Sequence, residues 1–202
     1  HKLPMYIIPY PSAELLSHLS RKAEFYKVCD KYDIPYPKTF IIEKPMPASE
    51  LTNDKLGFSY PIIIKPSSSA DYWKHEFKGM KKVYVSKSAE NSANIISEIY
   101  DSGYPDKIIA QEFIEGSDSN MRVLTAFSDE NGKVRAMCLG HTMVEEHTPK
   151  GLGNHAAIVT EPVSDLPVAL KIKEMLEDLG YTGFSNFDIK CRGSSDDFRV
   201  FE

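Results

Sequence analysis

The sequence predicts an α+β chain in two halves that meet near residues 110–114, and three observations carry that expectation. Short apolar, β-branched runs, of which Ile62-Ile63-Ile64 is the clearest, read as buried strands. Two stretches place apolar residues at three- and four-residue spacing, Ala93-Ile96-Ile99-Tyr100 and Ala169-Ile172-Leu176-Leu179, and read as helices. Asp129-Glu130-Asn131-Gly132 separates two apolar runs and predicts a hairpin, because Asn-Gly accepts positive φ.

Taken in order, residues 1–17 read as a linker leaving an upstream domain, with three prolines before residue 12 and Ser12 capping a short helix over Ala13–Leu19. Ser20 is expected to cap a second helix with Ala23, Phe25, Tyr26, Val28, Cys29 and Tyr32 as its apolar stripe, ended by Asp33-Ile34-Pro35. A strand over 36–42 and a helix over 48–56 precede the strand at 60–66. Residues 66–81, with Ser67-Ser68-Ser69 at their head, read as a flexible loop. A strand at 82–85, a helix from Ser88 to Gly103 and a strand at 107–113 complete the first half. The second half holds the hairpin of 122–127 and 134–139, a long polar loop between His141 and His155, a helix over 166–179 and strands at 184–191 and 198–202.

Charge and cysteine usage narrow the functional classes. Lys+Arg total 24 against 29 Asp+Glu, a net charge of −5, which argues against nucleic acid as a partner. Cys29, Cys138 and Cys191 are odd in number and lack CxxC spacing, so they read as buried small apolar residues in a reducing cytoplasm. No apolar run approaches the roughly 18 residues of a membrane span. The chain begins without methionine and stops inside the strand reaching Phe201-Glu202, so it is expected to be an excised piece of a longer chain with upstream and downstream segments.

Candidate chemistry gathers at lysines and carboxylates. Lys65 stands at the end of a β-branched run between Ile64 and Pro66, where its stem packs while its ammonium leans into a cleft. Lys22 sits in the first turn of a helix, where a cation opposes the dipole and has no local reason to be. Asp188 alternates with Phe187 and Ile189, and Glu202 follows Phe201 in the same manner, so both carboxylates can face one cleft as hard-oxygen ligands suited to Mg²⁺. No GxxxxGK[ST] loop occurs, so any phosphate is met without a P-loop.

In order, Tyr-Pro-Ile-Ile-Ile-Lys-Pro, Gln-Glu-Phe-Ile-Glu-Gly and Gly-Phe-Ser-Asn-Phe-Asp…Phe-Glu resemble the ATP-grasp superfamily over roughly residues 18–202, and within it carboxylate-amine ligases of the D-aspartate ligase and carbamoyl phosphate synthetase type. The resemblance implies two α+β lobes with mainly antiparallel sheets, 18–110 and 111–202, clasping ATP and Mg²⁺. It implies phosphoryl transfer to a small carboxylate and attack of an amine on the acyl phosphate, with a kinase that stops at transfer, or a non-catalytic nucleotide-binding module, as alternatives. Lys65 and Lys22 would neutralise the phosphates, Ser67, Ser68 and Ser69 would close over them, and Gln111, Glu112, Phe113 and Ile114 would hold adenine. Asp118 would accept the ribose hydroxyls, Asp188 and Glu202 would hold the metal, and Arg122, His147, Lys150, Asn154 and His155 would face the acyl phosphate. The superfamily's metal motif continues past the acid at which this chain stops, so the isolated piece is expected to be inactive or much weakened.

Overall fold

Period-two alternation along the isoleucine run builds the first sheet. The computed structural model describes residues 9–148, 154–193 and 197–201. Strand β2 (Ile62–Pro66) pairs antiparallel with β3 (Tyr84–Ser86) and β4 (Ile108–Glu112), and β1 (Thr39–Ile42) pairs with the far side of β4. The order is therefore β1-β4-β2-β3. Ile62 and Ile64 are fully buried in a core shared with Ile96 and Ile99 of α5 (Ala89–Asp101), a helix capped by Ser88. Ile63 and Lys65, one residue out of phase, point to the opposite face, as pleating requires.

The second sheet follows from the hairpin. Strands β5 (Met121–Ser128) and β6 (Val134–Glu145) flank the Asp129–Gly132 turn, in which Asp129 Oδ1 accepts from Asn131 N and Lys133 N, and Gly132 takes φ +72°. With β7 (His155–Glu161), β8 (Gly183–Cys191) and β9 (Phe198–Val200) they form an antiparallel sheet of order β7-β6-β5-β8-β9. Helix α6 (Val168–Asp178) covers one face, burying Ile172 and Met175 with Leu124, Phe187 and Ile189. Helix α2 (Lys22–Lys31) joins the same core through Phe25, Val28 and Cys29, as does Ile109 from β4, so this cluster ties the two sheets together.

Several sequence expectations change. Residues 48–56 form a 3-10 turn at Ala48–Glu50 and a single turn α3 (Asn53–Leu56) capped by Thr52, in place of one helix. Ser12 caps α1 (Ala13–Leu19) as expected, but Ser20 ends α1 and does not cap α2. The serine run is not a featureless loop: Ser68 caps one helical turn, α4 (Ser69–Tyr72), whose Tyr72 is buried. The long polar loop after His141 is shorter than expected, since β6 continues to Glu145 and β7 begins at His155. The Ile158-Val159-Thr160 run carried that signal, but β7 is an edge strand whose side chains lie largely exposed, so apolar alternation is weak there. Cys138 is exposed on β6, contrary to expectation, whereas Cys29 and Cys191 are buried. Burial pushes the Cys29 thiol up to about 12. Among the described residues no helix is long and apolar enough to cross a membrane.

Candidate nucleotide site

Between the two sheets lies a cleft of about 400 Å³. Its upper wall is the outward face of the first sheet, where Ile63 and Lys65 of β2 stand beside Val85 of β3, which pairs with Ile63. Phe113 and Ile114, where β4 leaves the sheet, close one end. Met121, Asp188, Lys190 and Phe201 form the lower wall, with Glu145 and His147 at its margin. Asp188 and Lys190 reach it together because β8 buries Phe187 and Ile189 on its other face.

Two lysines are almost withdrawn from solvent here, Lys22 at 6 % and Lys65 at 7 % exposure. Burying an ammonium is costly without compensating polar contacts. Lys22 Nζ donates to Ser69 Oγ over 3.4 Å, and Lys65 Nζ donates to the Tyr26 hydroxyl over 3.4 Å. That hydroxyl also accepts from Gln111 Nε2 at 2.9 Å and donates to the Phe201 carbonyl at 2.8 Å. One buried phenol thus links α2, β2 and β4 to the chain after β9. Replacing Tyr26 by Phe is expected to lower stability by about 1–3 kcal/mol, because three polar groups lose a buried partner at once. Urea denaturation reads this directly, and an unchanged midpoint would contradict the role given to the hydroxyl.

The three serines divide. Ser67 Oγ accepts from Ala23 N at 3.3 Å, so it caps α2, and it is buried. Ser68 Oγ accepts from Asp71 N and donates to its carboxylate. Only Ser69 of the three lines the cleft, so Ser67 and Ser68 hold the loop in place and do not cover a ligand through their hydroxyls.

The hinge residues also divide. Phe113 is 37 % exposed within the cleft, and Ile114 is buried beside it. Gln111 is fully buried at the cleft; its amide nitrogen donates to Tyr26 at 2.9 Å and Thr39 at 2.8 Å, while its Oε1 has no hydrogen-bond partner among the described residues. The Glu112 carboxylate accepts from Lys38 N at 2.9 Å and pairs with Arg192 at 3.6 Å and Arg199 at 3.9 Å, a tie between the lobes.

Asp118 does not line the cleft. Its carboxylate accepts from Glu145 N and meets His147 Nε2, each at 3.0 Å, and these bonds hold it below the usual carboxylate range. Arg122 alternates with Val123, which faces Asp188 across the β5–β8 pair, and so projects to the opposite side of the sheet. There its guanidinium binds Glu161 at 2.8 Å and the Ser119 carbonyl at 2.9 Å, which removes it from the acceptor set.

A second cavity of about 490 Å³ opens on the uncovered face of the five-stranded sheet. Val123, Thr125, Asn154, His155, Ile158 and Asn186 line it, and Lys82 and Asp188 line both cavities. His155 Nε2 lies 3.2 Å from Asp188 Oδ1, and Nδ1 lies 2.8 Å from Thr142 Oγ1, so the ring is held from both ends. Lys150 and Glu202 lie outside the described residues, as do residues 1–8.

Sequence reasoning overlooked Lys82, Glu145 and Lys190 as cleft residues, Asn186 on the second cavity, and Tyr26 as the buried hydroxyl behind Lys65. Asn186 and Lys190 were available from the same alternation that placed Asp188. Desolvation lowers the Lys190 ammonium and raises the Glu145 carboxyl, marking both as drawn into the cleft wall.

No family model matches the sequence. Over 197 residues the chain is 40 % identical to the D-aspartate ligase of Enterococcus faecium, covering 98 % of the chain and 46 % of that ligase. It thus spans about half the length of this relative. Among solved structures, the biotin carboxylase domain of Hydrogenobacter thermophilus 2-oxoglutarate carboxylase, in complex with MgADP and bicarbonate, superposes with a TM-score of 0.70 at 12 % identity, over 96 % of this chain and 41 % of that one. D-alanine–D-alanine ligase of Bacillus anthracis, complexed with ATP, gives 0.61 at 15 % identity, over 100 % of this chain and 61 % of that one. The chain has the ATP-grasp fold of these solved structures. The ATP-grasp architecture accounts for the two antiparallel sheets with a cleft between them.

Proposed function

We propose that this chain is an ATP-grasp domain, the ATP-binding portion of a ligase that joins a small carboxylate to an amine through an acyl phosphate. One observation carries the reading: Lys22 and Lys65, two nearly buried lysines on separate elements, converge on a single cleft whose opposite wall presents Asp188. Two such cations compensate a polyphosphate without a glycine-rich loop. Ser69 would join them on the phosphates. Ile63, Val85, Phe113 and Ile114 supply an apolar slot for a purine, with backbone groups at the end of β4 for its edge.

Mg²⁺ needs only one or two protein carboxylates beside phosphates and water. Among the described residues no group of three or more His, Cys, Asp or Glu is arranged for a metal. Asp188, with Glu202, would hold it, and it would offset charge on the phosphates.

The second cavity would take the acceptor carboxylate, with Asn154 and His155 on its wall and Lys150 in the neighbouring segment. An acceptor oxygen bonds to the γ-phosphorus as the bond to the bridging oxygen breaks and ADP departs. The amine then bonds to the acyl carbon, phosphate leaves with its oxygen, and the amine gives up a proton. His155, on the wall of that cavity, would be the base that receives it.

The relative's name makes D-aspartate the first carboxylate to test. With MgATP and the full-length protein, sustained ADP release is expected only when carboxylate and amine are both present. Sustained release with the carboxylate alone would identify a kinase and overturn the ligase reading.

A further inference from the structure

We infer that Lys82 is a catalytic residue of this site, the cation that holds the phosphoryl group as it passes from the nucleotide to the acceptor. The inference rests on the acyl phosphate reading above. Among the described residues only Lys82 and Asp188 line both the interlobe cleft and the cavity on the open sheet face. They come from opposite lobes, Lys82 from the approach to β3 and Asp188 from β8. The boundary between the cavities is therefore bracketed by one cation and one anion.

The other cleft cations are already engaged. Lys22 donates to Ser69, Lys65 to Tyr26 and Lys190 to the Gly116 carbonyl at 2.9 Å, while Arg122 faces away. Lys82 is half-buried and makes no side-chain hydrogen bond or ion pair with any described residue. Nothing in the packing of β3 accounts for it, since Tyr84 and Ser86 supply the buried face of that strand.

An acceptor carboxylate and a γ-phosphoryl group are both anions and repel as they close. A cation at the junction relieves that repulsion, and its effect grows as charge spreads over the transferring oxygens. Lys82 contributes charge only: the oxygen–phosphorus bond forms, the bond to the ADP oxygen breaks with its electron pair staying on ADP, and the ammonium keeps its proton. Asp188 on the other lobe stands across the same boundary.

The test uses the full-length protein with Lys82→Gln and Lys82→Arg, ATP labelled with ¹⁸O at the β,γ-bridge, and D-aspartate without amine. Wild type is expected to scramble the label as acyl phosphate forms and reverts. Lys82→Gln is expected to slow scrambling and kcat together by about 10²-fold, with MgADP affinity by calorimetry unchanged, and Lys82→Arg to recover most of the rate. Undiminished scrambling in Lys82→Gln overturns the inference, as does a loss of MgADP affinity that matches the loss of rate, which would place Lys82 on the ground-state phosphates. Absence of scrambling in wild type, with MgADP still bound, overturns the acyl phosphate reading itself.

Discussion

Replacing Lys65 by alanine is expected to weaken MgATP binding by about 10- to 100-fold, since a hydrogen bond from a charged donor is worth ~1.5–3 kcal/mol. The size of the effect follows from where β2 holds the ammonium. Ile62 and Ile64 are fully buried against α5, so the strand cannot shift to bring another group forward. Pairing with Ile109 on β4 and the bond to Tyr26 fix the direction of the side chain. A phosphate therefore meets a cation already in place, with little ordering cost left at binding. Lys65→Met keeps most of the apolar stem and removes only the charge. It is expected to bind MgATP as weakly as alanine. Calorimetry that finds wild-type affinity in either variant would remove Lys65 from the phosphate site.

Asp188→Asn is expected to lower turnover of the full-length protein by about 10²- to 10³-fold, because an amide cannot supply the negative charge that a hard cation requires. The substitution is isosteric, and asparagine can still bond to the ring of His155, so the fold of β8 is expected to hold. The diagnostic reading is the metal dependence: Mg²⁺ should no longer strengthen ADP binding, while metal-free ADP should bind at least as well as to wild type. An undiminished Mg²⁺ effect would assign the ion to other residues and overturn the role of Asp188.

Much of this cleft is legible from local pattern. Period-two alternation, read on Ile62–Pro66 and again around Asp188, decides which side chains share a face, because pleating is a property of the strand alone. The Asn-Gly turn and the Ser12 and Ser88 caps are likewise short-range, made by residues within a few positions of one another. Lys65, Asp188, Phe113 and Ile114 accordingly line the cleft where their strands predict.

Other assignments depended on partners far along the chain. Ser67 was a phosphate donor by composition and is a helix cap by structure, because the end of α2 lies against it, 44 residues away in sequence. Asp118 looked free to bind ribose until β6 ran on to Glu145 and placed an amide and His147 over it. Arg122 was assigned by its type, yet its face of β5 belongs to Glu161. Lys82 had no local feature to mark it, and only the meeting of two cavities does so.

The sequence by itself determined the strands other than β7, the outward lysine on β2 and the outward aspartate on β8, since backbone geometry and burial impose those from neighbour to neighbour. Only the tertiary structure decided which polar groups are spent holding the lobes together and which are left for a ligand. A hydroxyl or guanidinium satisfies whatever partner packing brings within about 3 Å, and that partner is set by contacts many residues apart.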